Sequence, residues 1–231
     1  MSKSKPHVIH NIQRPETAIL ALFREQSAAT IHEAMGRRGA MDSRIKPIYS
    51  GMKVCGPAVT VRCQVGDNLM LLKALYVAKP GDILVVDSGS FSEQGQWGEI
   101  TSLAAQLRKI GGLVTNGAVR DGLAIKAMGF PVFSMGLSMK GTVKETLGSV
   151  NHPISCGGVT VHPGDIVVGD DDGVVIVPRE EAPEVIKKAE EREKREAKVM
   201  KMLREGESLL EMYGFDRVLA QKGCIEEEEN D

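Results

Sequence analysis

An arginine followed directly by an aspartate ends an apolar stretch in GAVRDG, residues 117–122, and this pair has the chemistry to act on a small acid. Arg120 offers a planar, permanently charged fork that grips a carboxylate or a developing enolate oxygen at two points. Asp121 offers a hard carboxylate oxygen to a divalent cation whose other ligands are water and substrate. Together they could handle a metal-bound keto acid. A solvated ion pair in a surface turn uses the same two residues, and the local pattern leaves both readings open.

A second candidate is GQWGEITSL, residues 95–103, where a glycine-rich loop feeds a helix. The N–H groups of that first turn, Gly98, Glu99, Ile100 and Thr101, lie at the positive end of the helix dipole and suit a carboxylate. Glu99 could instead simply complement the dipole, which is the plainer reading of its position. In GDN, residues 66–68, Asp67 reads as a helix cap, and Asn68 can offer its amide to a ligand.

Other chemistries lack their residues. His7, His10, His32, His152 and His162 form no HxxxH or HExxH, and GDDDG at 169–173 lacks calcium-loop spacing and reads as a hairpin turn. There is no GxSxG elbow, P-loop or GxGxxG. Lys73, Lys109 and Lys126 fall in helical or turn contexts with polar neighbours, whereas imine chemistry needs a desolvated amine. A metal-dependent mechanism is therefore preferred to a Schiff base. Cys55, Cys63, Cys156 and Cys224 show no CxxC spacing and read as isolated thiols.

The elements that must carry these residues alternate. Helical spacing covers 14–36, with Ser27, Thr30 and Glu33 starting a second short helix that Gly36 stops. KVCGPAVTVRC (53–63) reads as a strand, 66–82 as a capped helix ended by Pro80-Gly81, and DILVVD (82–87) as a buried strand. EITSLAAQLRKIGG reads as a helix stopped by Gly111, followed by the strand GLVTNG. Short strands follow at 130–136 and 153–161, and 165–178 forms a hairpin around Asp171, Asp172 and Gly173. From Glu180 to about Arg204 a strongly charged helix carries only a thin apolar stripe, too polar for a core, and is expected to lie on a neighbouring subunit. The terminal EEEEND reads as a disordered tail.

Composition narrows the class further. In 231 residues, 42% hydrophobic and 26% charged content supports one sizeable globular core. A net charge of −2 and 4% aromatics offer neither a basic field nor stacking platforms, so no nucleic-acid partner is expected. No apolar run approaches the roughly 20 residues of a membrane span, and no leader pattern opens the chain, so a cytoplasmic protein without a membrane partner is expected.

GDNLMLLKAL, KPGDILVVD, WGEITSLAAQLRKIGGLVTNGAVRDG, NHPISCGGVTVHPGDIVVGDDDGVVIVPRE and GESLLEMYG cover most of the chain. Through them the sequence resembles the 4-hydroxy-4-methyl-2-oxoglutarate/4-carboxy-4-hydroxy-2-oxoadipate aldolase family, which shares its fold with the regulator of RNase E activity A (RraA). The specific signature is an acidic residue, twenty residues, then Arg-Asp, here Glu99 and Arg120-Asp121. The resemblance implies an α/β, layered α/β/β/α sandwich over 1–178, assembled as homotrimers or homohexamers. A helical extension over 179–224 would pack on a neighbouring subunit, ahead of the acidic tail at 225–231.

It also implies a class II pyruvate aldolase with an oxaloacetate decarboxylase side activity. Mg2+ or Mn2+ would be held by Asp121, largely through waters, with Arg120 stabilising the enolate of a small 2-oxo acid. Backbone N–H groups of Gly98, Glu99, Ile100 and Thr101 would hold the pyruvyl carboxylate, Asn68 would contact substrate, and Glu99 would order water at the metal. Glu196 on the charged helix is the candidate to approach the metal site of the next subunit. The chain departs from the family at Ala124, where the aldolases usually carry an acidic residue. The regulator branch, which binds an RNA-processing enzyme without catalysis, is the alternative, because a shared fold does not itself carry an activity.

Overall fold

The computed structural model describes residues 7–225 and divides into two compact units, one ending at Ala189 and one beginning at Glu190. The first unit is built on an eight-stranded sheet. Its centre is β2 (Val54–Arg62), a long β-branched strand buried on both faces. It pairs in parallel with β3 (Ile83–Asp87), which pairs with β4 (Gly112–Thr115), which pairs with β6 (Val132–Ser134). Near-continuous apolar runs such as ILVVD and GLVT are what a parallel sheet covered on both sides requires.

On its other side β2 pairs antiparallel with β11 (Ile166–Asp170), which forms a tight hairpin with β12 (Gly173–Val177). Gly173 at φ +140 closes that turn, as the run of three aspartates and a glycine predicts. β1 (Lys46–Pro47) edges the sheet beside β6, and β8 (Ser149–Val150) adds to the end of β2. Just before β1, Met41 N–H donates to Val174 O and Ile176 N–H to Gly39 O, both at 2.9 Å. The two edges therefore approach each other and the sheet nearly closes. Two small pairs complete the strands, β5 (Ala118–Val119) with β7 (Gly136–Leu137), and β9 (Ile154–Cys156) with β10 (Val159–Val161).

Helices cover both faces, in the layered α/β arrangement expected from the resemblance. α1 (Thr17–Glu25) and α2 (Ala28–Ala34) bring Leu20, Phe23 and Ile31 against Ile166, Val168, Val175 and Val177. Ser27 caps α2 by accepting from Thr30 N–H, as its sequence indicates. α3 (Leu69–Leu75), α4 (Glu99–Leu107) and α5 (Gly122–Met128) belong to the larger core, where Leu71, Ala74, Ala105 and Ile125 meet Leu84, Val86 and Val114. α3 is shorter than its apolar spacing suggests: beyond Leu75 the chain breaks into turns, with Ala78 N–H on Ala74 O and Asp82 N–H on Lys79 O. Asp82 then takes Arg14 on both carboxylate oxygens at 2.7 Å while almost fully buried.

α6 (Ala182–Arg204) corrects one expectation. Ala182, Val185, Ile186 and Ala189 fall at i, i+3, i+4 and i+7, and all four are buried in the first unit. The first two turns of the charged helix are thus core of their own chain. Only from Glu190 onward does the helix run without a buried residue.

The second unit continues α6 and adds α7 (Leu209–Tyr213) and α8 (Phe215–Gln221). Tyr213 and Phe215 stack at 5.3 Å, yet Leu209, Leu210, Tyr213, Phe215 and Val218 all remain exposed. None of its described residues is buried, so within the chain it has no core of its own. The acidic tail from Glu226 lies outside the described residues.

Candidate functional site

The C-terminal ends of the parallel strands are stitched together by polar side chains. Asn116, after β4, accepts from Ser88 N–H at 2.7 Å and donates to the Asp87 carboxylate at 2.9 Å, tying the exit of β3 to that of β4. From that fixed edge β5 leads to Arg120 and Asp121. Alongside it, Gly95 bridges Ala118, Gln96 N–H donates to Ala118 O, and Arg120 N–H donates to Trp97 O at 2.8 Å. Trp97 anchors this segment by packing on Phe130 and donating its indole N–H to Ser102.

The GQWG loop and the Arg-Asp pair therefore meet, and the glycines let them. Gly98 is extended, so backbone freedom is not its reason. A Cβ there would lie 2.4 Å from Asp121 Oδ2 and 3.1 Å from Arg120 Cγ. At Gly95 a Cβ would lie 2.9 Å from Arg120 Cβ. Asp121 is held at φ 58, a left-handed conformation that aspartate tolerates better than most residues, and it opens α5. Such a residue at a candidate site is the kind of local strain that function retains.

Asp121 Oδ2 accepts from Glu99 N–H at 3.1 Å and lies 3.6 Å from Arg120 Nε. Both side chains are partly exposed and face a cleft of about 320 Å3 shared with Leu137, Ser138 and Met139. The Thr101 hydroxyl is spent on α4 itself, accepting from Gly98 N–H and donating to Gly98 O at 2.9 Å. With Gly98 and Glu99 N–H both engaged, Ile100 and Thr101 N–H have no acceptor among the described residues. The Glu99 carboxylate is exposed and has no partner among them either.

Asn68 is buried, and its Nδ2 donates to Gln96 O at 2.9 Å, coupling the start of α3 to the same loop. Asn68 Oδ1 and both amide atoms of Gln96 are buried without a hydrogen-bond partner among the described residues. The N-cap position of α3 falls on Asn68 and not on Asp67, whose carboxylate instead ties the loop together: Oδ1 accepts from Leu69 N–H, and Oδ2 from Glu145 and Thr146 N–H at 2.7 Å. Burial opposes its ionisation, but these N–H donors outweigh it and hold its carboxyl below the usual range.

A divalent cation fits this arrangement in one way. Among the described residues no group of three His, Cys, Asp or Glu side chains could hold a metal, and Ala124, one turn into α5, adds only a methyl. The donor set is thus a single carboxylate beside open cleft. That suits Mg2+ or Mn2+, hard cations that keep several waters and bind through one or two carboxylates plus substrate. Thiolate ligation is disfavoured, because burial pushes Cys63 and Cys156 up to about 12.

Glu99, Ile100, Thr101, Arg120 and Asp121 are thus brought to one place together with Gly98, and Asn68 adjoins them through Gln96. Glu196 belongs to the second unit, where its carboxylate accepts from Arg192 at 2.8 Å and borders a cleft of about 370 Å3 with Arg195, Lys198 and Tyr213. Sequence reasoning passed over Gly95, Gln96 and Ser138. The paired glycines of GQWG were the available signal for the first two, whereas Ser138 and Met139 sit in an unpatterned loop.

The profile of the RraA-like family, Aldolase/RraA, matches residues 28–176. A Halalkalibacterium halodurans protein provisionally named 4-hydroxy-4-methyl-2-oxoglutarate aldolase is 37% identical over 79% of this chain and 87% of its own. Streptomyces coelicolor RraAS2, described as an unusual member of the RNase ES inhibitor RraA protein family, superposes with a TM-score of 0.73. It is 28% identical, over 82% of this chain and 100% of its own. An uncharacterised Pseudomonas syringae protein superposes with a TM-score of 0.77 at 24% identity, over 87% of this chain and 98% of its own, a likeness of fold alone.

Proposed function

The chain belongs to the Aldolase/RraA family, and on that premise we propose that it is a divalent-metal-dependent pyruvate aldolase. Its substrate would be a 4-hydroxy-2-oxo diacid, 4-hydroxy-4-methyl-2-oxoglutarate or 4-carboxy-4-hydroxy-2-oxoadipate. The products would be pyruvate plus pyruvate or oxaloacetate. The carrying observation is the Arg120–Asp121 pair opening α5, hydrogen-bonded to the first turn of α4 across a glycine that admits no side chain.

In this reading the substrate carboxylate is held by the Ile100 and Thr101 N–H groups at the positive end of α4. Arg120 donates to the 2-oxo oxygen and a second oxygen at once. Asp121 would hold Mg2+ or Mn2+, which supplies Lewis-acid polarisation of the 2-oxo group when bound. The 4-hydroxyl loses its proton, the C3–C4 bond breaks, and its electrons collect on the C2 oxygen beside Arg120. The enolate then takes a proton at C3 and leaves as pyruvate. Glu99 would orient water, and Asn68, coupled to the loop through Gln96, would contact substrate. The same enolate chemistry would decarboxylate oxaloacetate.

The exposed apolar stripe Ile100, Leu103 and Leu107 along α4, and a helical unit without a core, support a homotrimeric or homohexameric assembly. Glu196 would then reach the site of a neighbouring subunit. A cytoplasmic location is part of the same proposal; no helix among the described residues is long and apolar enough to cross a membrane. The test is pyruvate release from several 4-hydroxy-2-oxo diacids with and without divalent metal. Metal-independent release, or none from any of them, would overturn the reading. The likeness to RraAS2 favours the second reading, a regulator that binds an RNA-processing enzyme. That reading expects complex formation indifferent to magnesium and to oxaloacetate.

A further inference from the structure

At the edge of the sheet opposite Arg120 and Asp121 lies a cavity of about 390 Å3 that none of the chemistry above uses. It opens where the parallel strands begin: Lys53, Val54 and Cys55 enter β2, Gly81 precedes β3 and Gly111 precedes β4. Its remaining wall is the end of β11, Val168 to Asp170, with Arg24 from the last turn of α1 and Gln26, which ends that helix. In sheets of this kind the main site lies at the carboxyl ends of the strands, so a cavity at their amino ends is separate from it.

Two cations, Arg24 and Lys53, and one carboxylate, Asp170, line this cavity, and Lys53 also borders Asp171 and Asp172 in the adjoining hollow. Arg24 and Lys53 are exposed, and neither forms an ion pair among the described residues. The one carboxylate in the lining, Asp170, is already satisfied by the backbone: Oδ2 accepts from Ala28 N–H at 2.8 Å and Oδ1 from Asp172 N–H at 3.0 Å. Gly81, at φ +85, keeps part of the wall free, since a Cβ there would meet nothing within 4 Å. Val54 and Val168 supply an apolar side. With both Asp170 oxygens turned to backbone N–H groups, the two unpaired cations leave the lining net positive over a partly apolar hollow, which suits an amphipathic anion.

We propose that this cavity is a second ligand site, which takes a small organic anion whose carboxylate or phosphate pairs with Arg24 and Lys53 while its carbon framework lies on Val54 and Val168. The guanidinium matches either anion in two-point geometry, and the lysine adds a point charge. Because both cations are exposed, binding weakens as salt screens them. The site does not depend on the aldolase reading.

The experiment is calorimetric titration of the full chain with succinate and, separately, inorganic phosphate at low ionic strength. It is paired with peptide mapping of Cys55 alkylation by iodoacetamide. Burial pushes Cys55 up to about 11, so alkylation is slow and is followed over a long time course at about pH 9, where lysine side chains keep their charge. Saturable binding of at least one probe is expected, with slowed alkylation of Cys55 and unchanged alkylation of exposed Cys224. Whichever probe binds tells carboxylate from phosphate recognition. The Arg24→Gln/Lys53→Gln double variant should bind about tenfold more weakly or worse, as loss of charge-assisted hydrogen bonds implies. Asp121→Asn should bind like the parent. The proposal is overturned if neither probe saturates, if the double variant binds unchanged, if Cys55 stays unprotected, or if Asp121→Asn abolishes binding.

Discussion

Glu99 donates its backbone N–H to Asp121 Oδ2 at 3.1 Å, so the first turn of α4 is locked to the residue that opens α5. This bond joins two segments twenty-two positions apart and orients one oxygen of Asp121, leaving the other to the cleft.

Arg120→Lys should lose nearly all turnover while the fold is kept, although the charge is unchanged. A flexible ammonium cannot span two oxygens as a guanidinium does. Charge on the 2-oxo oxygen grows as the C–C bond breaks, so the loss should fall on kcat, by on the order of 3 kcal/mol or about a hundredfold. Near-normal kcat for pyruvate release would reduce Arg120 to half of a solvated ion pair.

Asp121→Asn should weaken metal affinity and activity together with an unchanged circular dichroism spectrum, because a neutral amide is a poorer ligand for a hard cation. On the aldolase reading, excess chelator should silence pyruvate release by the parent protein, and magnesium or manganese should restore it. Magnesium dependence identical in the variant, or a pyruvate adduct trapped by borohydride, would count against the assignment.

Gly98→Ala tests the cradle directly. The backbone there is extended and accepts alanine, but the new methyl would sit 2.4 Å from Asp121 Oδ2. Overpacking of this kind costs about 1–3 kcal/mol and shifts what it touches. We expect a folded protein with activity reduced at least about tenfold; thermal melting together with pyruvate release checks both halves.

Truncation before Glu190 keeps Ala182, Val185, Ile186 and Ala189, so the body should remain folded. Activity should be lost and the oligomer weakened if the helical unit serves a neighbouring subunit. Light scattering that finds a fully active monomer would dispose of that role.

Asp67 makes stability depend on acid. Its carboxyl is held below the usual range in the folded protein, so its contribution is complete above the unfolded value of about 4 and is lost as pH falls through the lower folded value. Asp67→Asn should destabilise by roughly 1–3 kcal/mol at neutral pH and flatten the loss that the parent shows in acid. Denaturant titrations at several pH values show whether the two curves converge in acid.

Much of this protein is written locally. The β-branched runs at 54–62 and 83–87, the capping serine at 27, the aspartate hairpin at 171–173 and the glycine-bounded loop before Glu99 declare themselves through propensity and turn chemistry, which neighbouring residues decide. The chemical types at the candidate site were legible for the same reason. Their union was not: that Glu99 N–H reaches Asp121, that Gly98 must lack a Cβ, and that Asn68 spends its amide on Gln96 depend on how β5 is laid beside residues 95–98. The charged helix shows the converse case. Its apolar positions 182, 185, 186 and 189 were visible in the chain, but overall polarity masked them, and only a hydrophobic surface on β11 and β12 made that short stripe a core. Sequence spacing determines which side chains share a face; which face finds a partner is decided by the packing of elements far apart in the chain, where burial free energy is collected.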